Sequence, residues 1–439
     1  MLAQKKYSSL ALGFALTLTF CVILIKGSAL KWASLSWVVL CSIALTVLLL
    51  KRVSGPTKKY QLLTKSAFNV LSPAYLFIAF QLWALLQYAL ISPDKPASLD
   101  QSLIGLGMLF LLAIWWIAVR DSKALTLLFA FFVLSAAMQS FYGLWVYLSG
   151  ADQLLWMPKV YYLDRPTGFF VNANHFAAYL VLGIILCLSK MMANSPSAYK
   201  RSAIIGTFDR LYDVNSVILG LLIITLIASK SIGAMVALSV VVVLIAFEVA
   251  KRSQKRKALM IGMIALCLIL FLVVLSLDYS FVKSLTSNLS HTFYRRLELS
   301  KAAFIMLENT WLTGIGGGAF YSQFSPYRTL EIGNTYYNYA HNDILQFWIE
   351  YGLIGVSLLV LFLATLIRDN IRILSQSRSG IQATFAYASI YSTLAVAIHS
   401  LVDFPLHIPG FSVCYLVIIS VNSLSLINRS QFNDAANRT

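Results

Sequence analysis

The chain has 439 residues, of which 59% are hydrophobic and only 12% charged, and its mean hydropathy is +0.77. That composition excludes an ordinary soluble globular domain, and several apolar runs exceed the ~18 residues that mark a membrane helix. The formal net charge of +17 does not point to nucleic acid. The basic residues fall in short clusters between apolar segments, where the positive-inside rule and anionic lipid place them.

In chain order, about twelve spans are predicted, near 8–25, 30–50, 68–91, 102–119, 124–148, 174–192, 214–229, 233–250, 258–277, 348–367, 383–402 and 408–426. The fold class is therefore an all-α polytopic membrane protein. No convincing small-residue cleavage site follows the first apolar run and a second run follows at once, so the first reads as a retained span. Cys21, Cys41, Cys187, Cys267 and Cys414 all lie in apolar runs. They read as small buried hydrophobes, not as a disulfide framework or zinc set. With the N-terminus cytoplasmic, about two thirds of the 34 basic residues fall on the cytoplasmic side. Both termini are then cytoplasmic, and the number of spans is even.

This orientation puts three polar stretches outside: the loop 149–173, the short turn Ser229-Lys230-Ser231, and the interval 278–347 before the tenth span. The last is long enough for a small helical subdomain. Within it, 291–308 reads as an amphipathic helix with Phe293, Leu297, Phe304 and Ile305 near one face. The run Gly314 to Gly318 reads as a turn, since no regular element tolerates it easily. It follows no strand and lacks the Lys-Ser/Thr ending of a phosphate loop. The chain divides into N-terminal transmembrane helices (1–160), a transmembrane core (161–426) that includes the 278–347 subdomain, and a cytoplasmic tail (427–439).

The stretch from Tyr339 to Gly352 reads as a site rather than a plain span. Asn342, Gln346 and Glu350 lie four apart on one helical face, and Asp343 sits three before Gln346. His341 stands at the helix start, where unsatisfied backbone N–H groups favour an anion. Four outward cations, Arg165, Lys230, Arg295 and Arg296, are candidates for phosphate contacts, Arg as a fork and Lys as a point charge. For Arg295 and Arg296 an interfacial helix touching lipid headgroups is the competing reading, and for Arg165 a salt bridge with Asp164. Lys230 is harder to dismiss, because a charge so close to apolar flanks is costly without a role. His399, Asp403 and His407 recur every four residues, but Pro405 breaks the helix. A polar cluster capping a span end is preferred there to a metal site.

Several stretches resemble the O-antigen ligase and polymerase superfamily of bacterial envelope glycan transferases. They are Arg165 to Asn174, Arg296-Leu297-Glu298-Leu299, Thr313 to Phe320, Ala340-His341-Asn342-Asp343 through Gly355, and His399 to Phe404. The resemblance runs in order from about 160 to 410 and implies a fold of about twelve helices. It implies a polyprenyl-diphosphate-linked glycan as donor, a glycan or lipid-glycan acceptor, membrane lipids around the protein, no nucleic acid, and neither cofactor nor metal. By the same resemblance His341 is the catalytic position and Arg296 contacts the donor diphosphate. The family's Ser-Arg-Gly turn reads Ser229-Lys230-Ser231 here, which keeps the charge and loses the fork. Arg165 and Arg295 are further donor-side candidates. Asn342, Asp343, Gln346, Glu350, Asn174, His399 and Asp403 form the supporting polar shell. The implied location is the bacterial inner membrane, with the active site periplasmic. Ligase and polymerase remain open alternatives, and a solute transporter is the reading from another class. A transporter needs ionisable residues at mid-membrane, whereas the polar clusters here lie at span ends.

Overall fold

The computed structural model describes residues 2–54, 72–193, 214–251, 279–329, 332, 337–378 and 380–436. Apolar runs become helices throughout, because a chain in lipid must satisfy its backbone hydrogen bonds internally. The helices are α1 (Leu2–Leu24), α2 (Lys31–Ser54), α3 (Pro73–Leu90), α4 (Lys95–Ala118), α5 (Ser122–Leu148), α6 (Ala173–Ala193), α7 (Val214–Ala228) and α8 (Ile232–Lys251). They continue with α9 (Tyr279–Thr310), the short α10 (Phe320–Gln323), α11 (Asp343–Gln376), α12 (Gly380–His399) and α13 (Pro409–Ala436). Between α5 and α6 a two-stranded antiparallel hairpin pairs β1 (Gln153–Leu154) with β2 (Met157–Pro158).

Ten of the described helices are long and apolar enough to cross a membrane, and α7 is a shorter apolar helix. The protein is thus an all-α, multi-pass membrane protein. The expected span at 258–277 lies outside the described residues. Local signals set the helix starts: Asp94 and Asp121 cap α4 and α5 by accepting from Ala97 N and Ala124 N. The tenth expected span starts earlier than 348, at Asp343, with Asn342 as its cap.

α6 and α13 are buried along most of their length and form the centre of the bundle. α12 packs on α6, α8 and α13, while α3 packs on α11. A second, smaller core lies under α9, where Leu299, Ala302, Ala303 and Met306 meet Phe320, Phe324, Leu345 and Ile349. This corrects the expected face of α9. Leu297, Phe304 and Ile305 are exposed, and the side chain of Phe293 lies outside the described residues. The helix has apolar residues on two faces, and the one with small Ala302 and Ala303 allows the closer approach to α11.

α11 is not one continuous helix. Gly352 breaks it with φ 66 and ψ −179, and the glycine turn packs into the break. Ile315 N and Gly316 N donate to Glu350 O at 3.1 and 2.8 Å, while Leu353 N donates to Trp311 O at 2.7 Å. Gln87 from α3 also donates to Glu350 O, at 3.0 Å. Backbone groups freed by the break are thereby satisfied inside protein, which membrane depth requires. The residues 343–351 become a short polar helix set apart from the apolar span that follows.

Candidate active site

The polar corner begins at the start of α11. Asn342 is extended, and its side chain accepts from Leu345 N at 3.0 Å. His341 before it has φ 52, a left-handed conformation that costs energy for a residue with a Cβ. Asp343 is fully buried, and its backbone N–H donates to Ser400 O at 2.9 Å and Asp403 O at 3.2 Å. The bend after α12 therefore covers this helix end. The Asp343 carboxylate accepts from Ser400 Oγ at 3.1 Å and Leu406 N at 2.9 Å, and its Oδ1 lies 2.5 Å from His407 Nδ1. Glu350, also fully buried, accepts from Gln346 at 3.0 Å and lies 3.5 Å from His407 Nε2. Gln346 in turn accepts from Ala340 N at 2.8 Å, which fixes the segment leading into His341.

A second knot forms around Asp403. Its Oδ2 accepts from Asn174 at 2.8 Å, and its Oδ1 accepts from Phe404 N at 2.9 Å and faces His175 Nε2 at 3.6 Å. Arg296 reaches in from α9, donating to Val402 O at 2.5 Å with its second nitrogen 3.9 Å from Asp403. Its side chain stays about one third exposed, at 32%, so part of the fork remains available. Arg295, its neighbour, is exposed.

The third group lies beside the second. Lys230 occupies the turn between α7 and α8 with φ 54. Its Nζ lies 4.0 Å from Asp164, which also lies 3.5 Å from Arg165. The expected Asp164–Arg165 contact is thus present, with Lys230 added to it. Two features tie this group to the others. Gly233, the second residue of α8, packs so closely on His399 and Val402 that a Cβ there would come within 3.0 Å of each. Tyr162, whose ring lies under Arg165 at 5.8 Å, has its hydroxyl pushed up first by burial and then by Asp403, with Arg165 and Arg296 opposing.

Phe404 is the common wall. His341 packs edge-on to it at 4.9 Å, His175 likewise at 4.6 Å, and Tyr339 stacks on it at 4.1 Å. His341 Nδ1 is buried and has no hydrogen-bond partner among the described residues.

Burial governs the charges here. Burial holds His341 down at about 4, with Asp403 opposing and Arg296 and His175 adding to the shift. The imidazole is therefore neutral at neutral pH and able to accept a proton. Burial alone would also lower His407, but Asp343 and Glu350 carry it up to about 10, so it is a cation at neutral pH. Burial would raise Asp403, yet His175, His399 and Arg296 hold it well below the ordinary carboxylate range. It stays charged and orients Arg296. Among the described residues no three His, Cys, Asp or Glu side chains are grouped as a metal ion would need.

Nearly all the residues singled out from sequence thus gather at one end of the bundle: Arg165, Asn174, Lys230, Arg296, His341, Asn342, Asp343, Gln346, Glu350, His399 and Asp403. Sequence reasoning left out His175 and placed His407 only in a polar cluster capping a span end. The four-residue recurrence of His399, Asp403 and His407 carried a signal, but the bend sends His407 to α11 and leaves Asp403 facing α6 and α9.

Residues 217–360 match the O-antigen ligase family. The chain carries an O-antigen ligase domain. The matched segment holds Lys230, Arg295, Arg296 and His341 through Glu350, whereas Arg165, Asn174, His399, Asp403 and His407 lie outside it. No curated protein sequence matches the chain. An O-antigen ligase domain within a multi-pass bundle supports a glycosyl-transferring function in envelope glycan assembly.

Proposed function

We propose that the protein transfers a glycan from a polyprenyl-diphosphate carrier to an acceptor hydroxyl at the periplasmic face of the bacterial inner membrane. The observation that carries this reading is the neutral His341, with its free Nδ1, beside the partly exposed cation Arg296 in one polar corner. The acceptor oxygen forms a bond to the anomeric carbon as the carbon–oxygen bond to the diphosphate breaks. The acceptor's proton passes to His341, and the lipid diphosphate leaves with the bonding pair. Bringing a diphosphate close adds negative charge beside the imidazole and raises its proton affinity when transfer occurs. Arg296, with Lys230 and Arg165 beside it, offsets the charge that grows on the leaving group. The activated sugar is supplied by the lipid diphosphate, so no nucleotide is required.

The test is transfer by purified protein in lipid nanodiscs, using lipid-linked glycan as donor. Wild type should release lipid diphosphate in step with glycan transfer, and His341→Gln should lose this by about 10²- to 10⁴-fold. Glycan appearing on a separate acceptor marks a ligase, and longer chains on the carrier mark a polymerase. An active His341→Gln protein would overturn the general-base assignment.

A further inference from the structure

We propose that the β1–β2 hairpin is a membrane-interface anchor. Its tip, Leu155-Trp156, lies at the headgroup–acyl boundary of the leaflet nearest the polar corner, and it holds the Arg165 loop at that depth.

The argument begins with the turn. Two-residue hairpin turns favour Asn-Gly and similar pairs, because the central residues take positive φ and face water. Here they are Leu155, with φ 56, and Trp156. A Leu in that conformation costs energy that a surface turn in water does not return. Immersed in lipid, the tip gains from removing Leu and Trp from water, and Trp is enriched at membrane interfaces.

The surroundings support the same occupant. Trp156, Val160, Tyr161 and Leu163 are all exposed. The patch continues a lipid-facing row on α5, where Phe141, Trp145 and Leu148 are exposed at i, i+4 and i+7. α5 ends at Leu148, so the apolar surface passes from a membrane span straight into the hairpin. The tip's backbone is prepared for such a place. Leu155 N donates to Tyr142 Oη at 2.6 Å, Lys26 Nζ donates to Pro158 O at 3.2 Å, and Lys159 N donates to Asp152 O at 2.6 Å.

Coupling to the site runs through Lys159. It is buried at the base of the hairpin, and its Nζ donates to Arg165 O at 2.7 Å. A hairpin fixed at one depth in the membrane therefore fixes Arg165 at headgroup level, where the diphosphate of a lipid carrier lies. This consequence rests on the transferase reading, whereas the anchoring does not.

Depth can be measured directly. Trp156→Cys and Ser322→Cys, each in a chain whose native cysteines are replaced by Ala, are labelled with an environment-sensitive fluorophore. They are placed in nanodiscs of phosphatidylethanolamine and phosphatidylglycerol carrying spin labels at the headgroup or along the acyl chain. The label at 156 should be quenched most by the shallow acyl position, and should resist aqueous iodide several-fold better than the label at 322. Equal iodide quenching at both positions, with no dependence on lipid label depth, overturns the proposal. So does a label at 156 that is accessible in nanodiscs yet shielded in native membranes, which would assign the patch to a protein partner. A second arm tests the coupling: Trp156→Ser should raise KM for lipid-linked donor several-fold with kcat little changed, and Trp156→Phe should restore it. An unchanged KM overturns the coupling to Arg165. If wild type shows no transfer, the transferase reading fails and the depth measurement still decides the anchor.

Discussion

His407 Nδ1 lies 2.5 Å from Asp343 Oδ1, joining positions 64 residues apart in the chain. With Glu350 3.5 Å from the other ring nitrogen, this imidazolium fastens the bend after α12 to the first two turns of α11. Those turns follow directly from His341. The pair is buried, so its attraction largely offsets desolvation, and removing one partner leaves an uncompensated charge.

The raised His407 value sets a pH window. Its stabilisation is present in full below the ordinary value of 6.5 and is lost as pH rises through about 10. The melting temperature in detergent should therefore fall across that window. His407→Gln should cost about 3–5 kcal/mol at neutral pH and flatten the fall. A wild-type melting temperature level across the same window would remove the charged pair.

His341 is held down at about 4, so the acid limb of kcat/KM, which reports the free enzyme, should lie near that value. The acid limb of kcat should lie higher, because bound diphosphate favours the protonated ring. Acid limbs that coincide near the ordinary 6.5 would show an imidazole neither buried nor sensitive to the donor.

Charge at the diphosphate is tested on Arg296 and Lys230. Arg296→Ala should severely cut transfer while leaving folded protein in the membrane, and Arg296→Lys should rescue only part, since a point charge cannot replace a fork. Lys230→Arg should keep activity. Initial rates at equal protein decide it; full activity in Arg296→Ala would leave that residue as a headgroup contact.

Gly352 should tolerate no side chain. A Cβ there would come within 2.3 Å of Leu312 O, and its φ is 66. Gly352→Ala should therefore lower the melting temperature and the yield of monodisperse protein, whereas Gly13→Ala, with open space around it, should not. Equal behaviour of the two variants would mean that α11 runs unbroken.

Much of this protein is determined locally, and so is legible in its sequence. A run of apolar residues must form a helix in lipid whatever its neighbours do, which is why the ten long apolar helices among the described residues emerge from composition and periodicity. The stripe Asn342, Gln346 and Glu350 follows from helical spacing alone, and so does the tight Ser229–Ser231 turn between two apolar runs. Tertiary structure decided what depends on partners distant in sequence. α9 has apolar residues on two faces, and only contact with Phe320, Phe324 and Leu345 selects the one with Leu299 and Met306. The recurrence of His399, Asp403 and His407 gives no partners, because the helix ends at His399, the bend that follows separates them, and burial joins His407 to Asp343. The glycine turn reads as a loop until Gly352 opens the opposite helix and leaves carbonyls for its N–H groups. In each case the deciding energy is that of a buried polar or apolar group finding its complement, which no local pattern encodes.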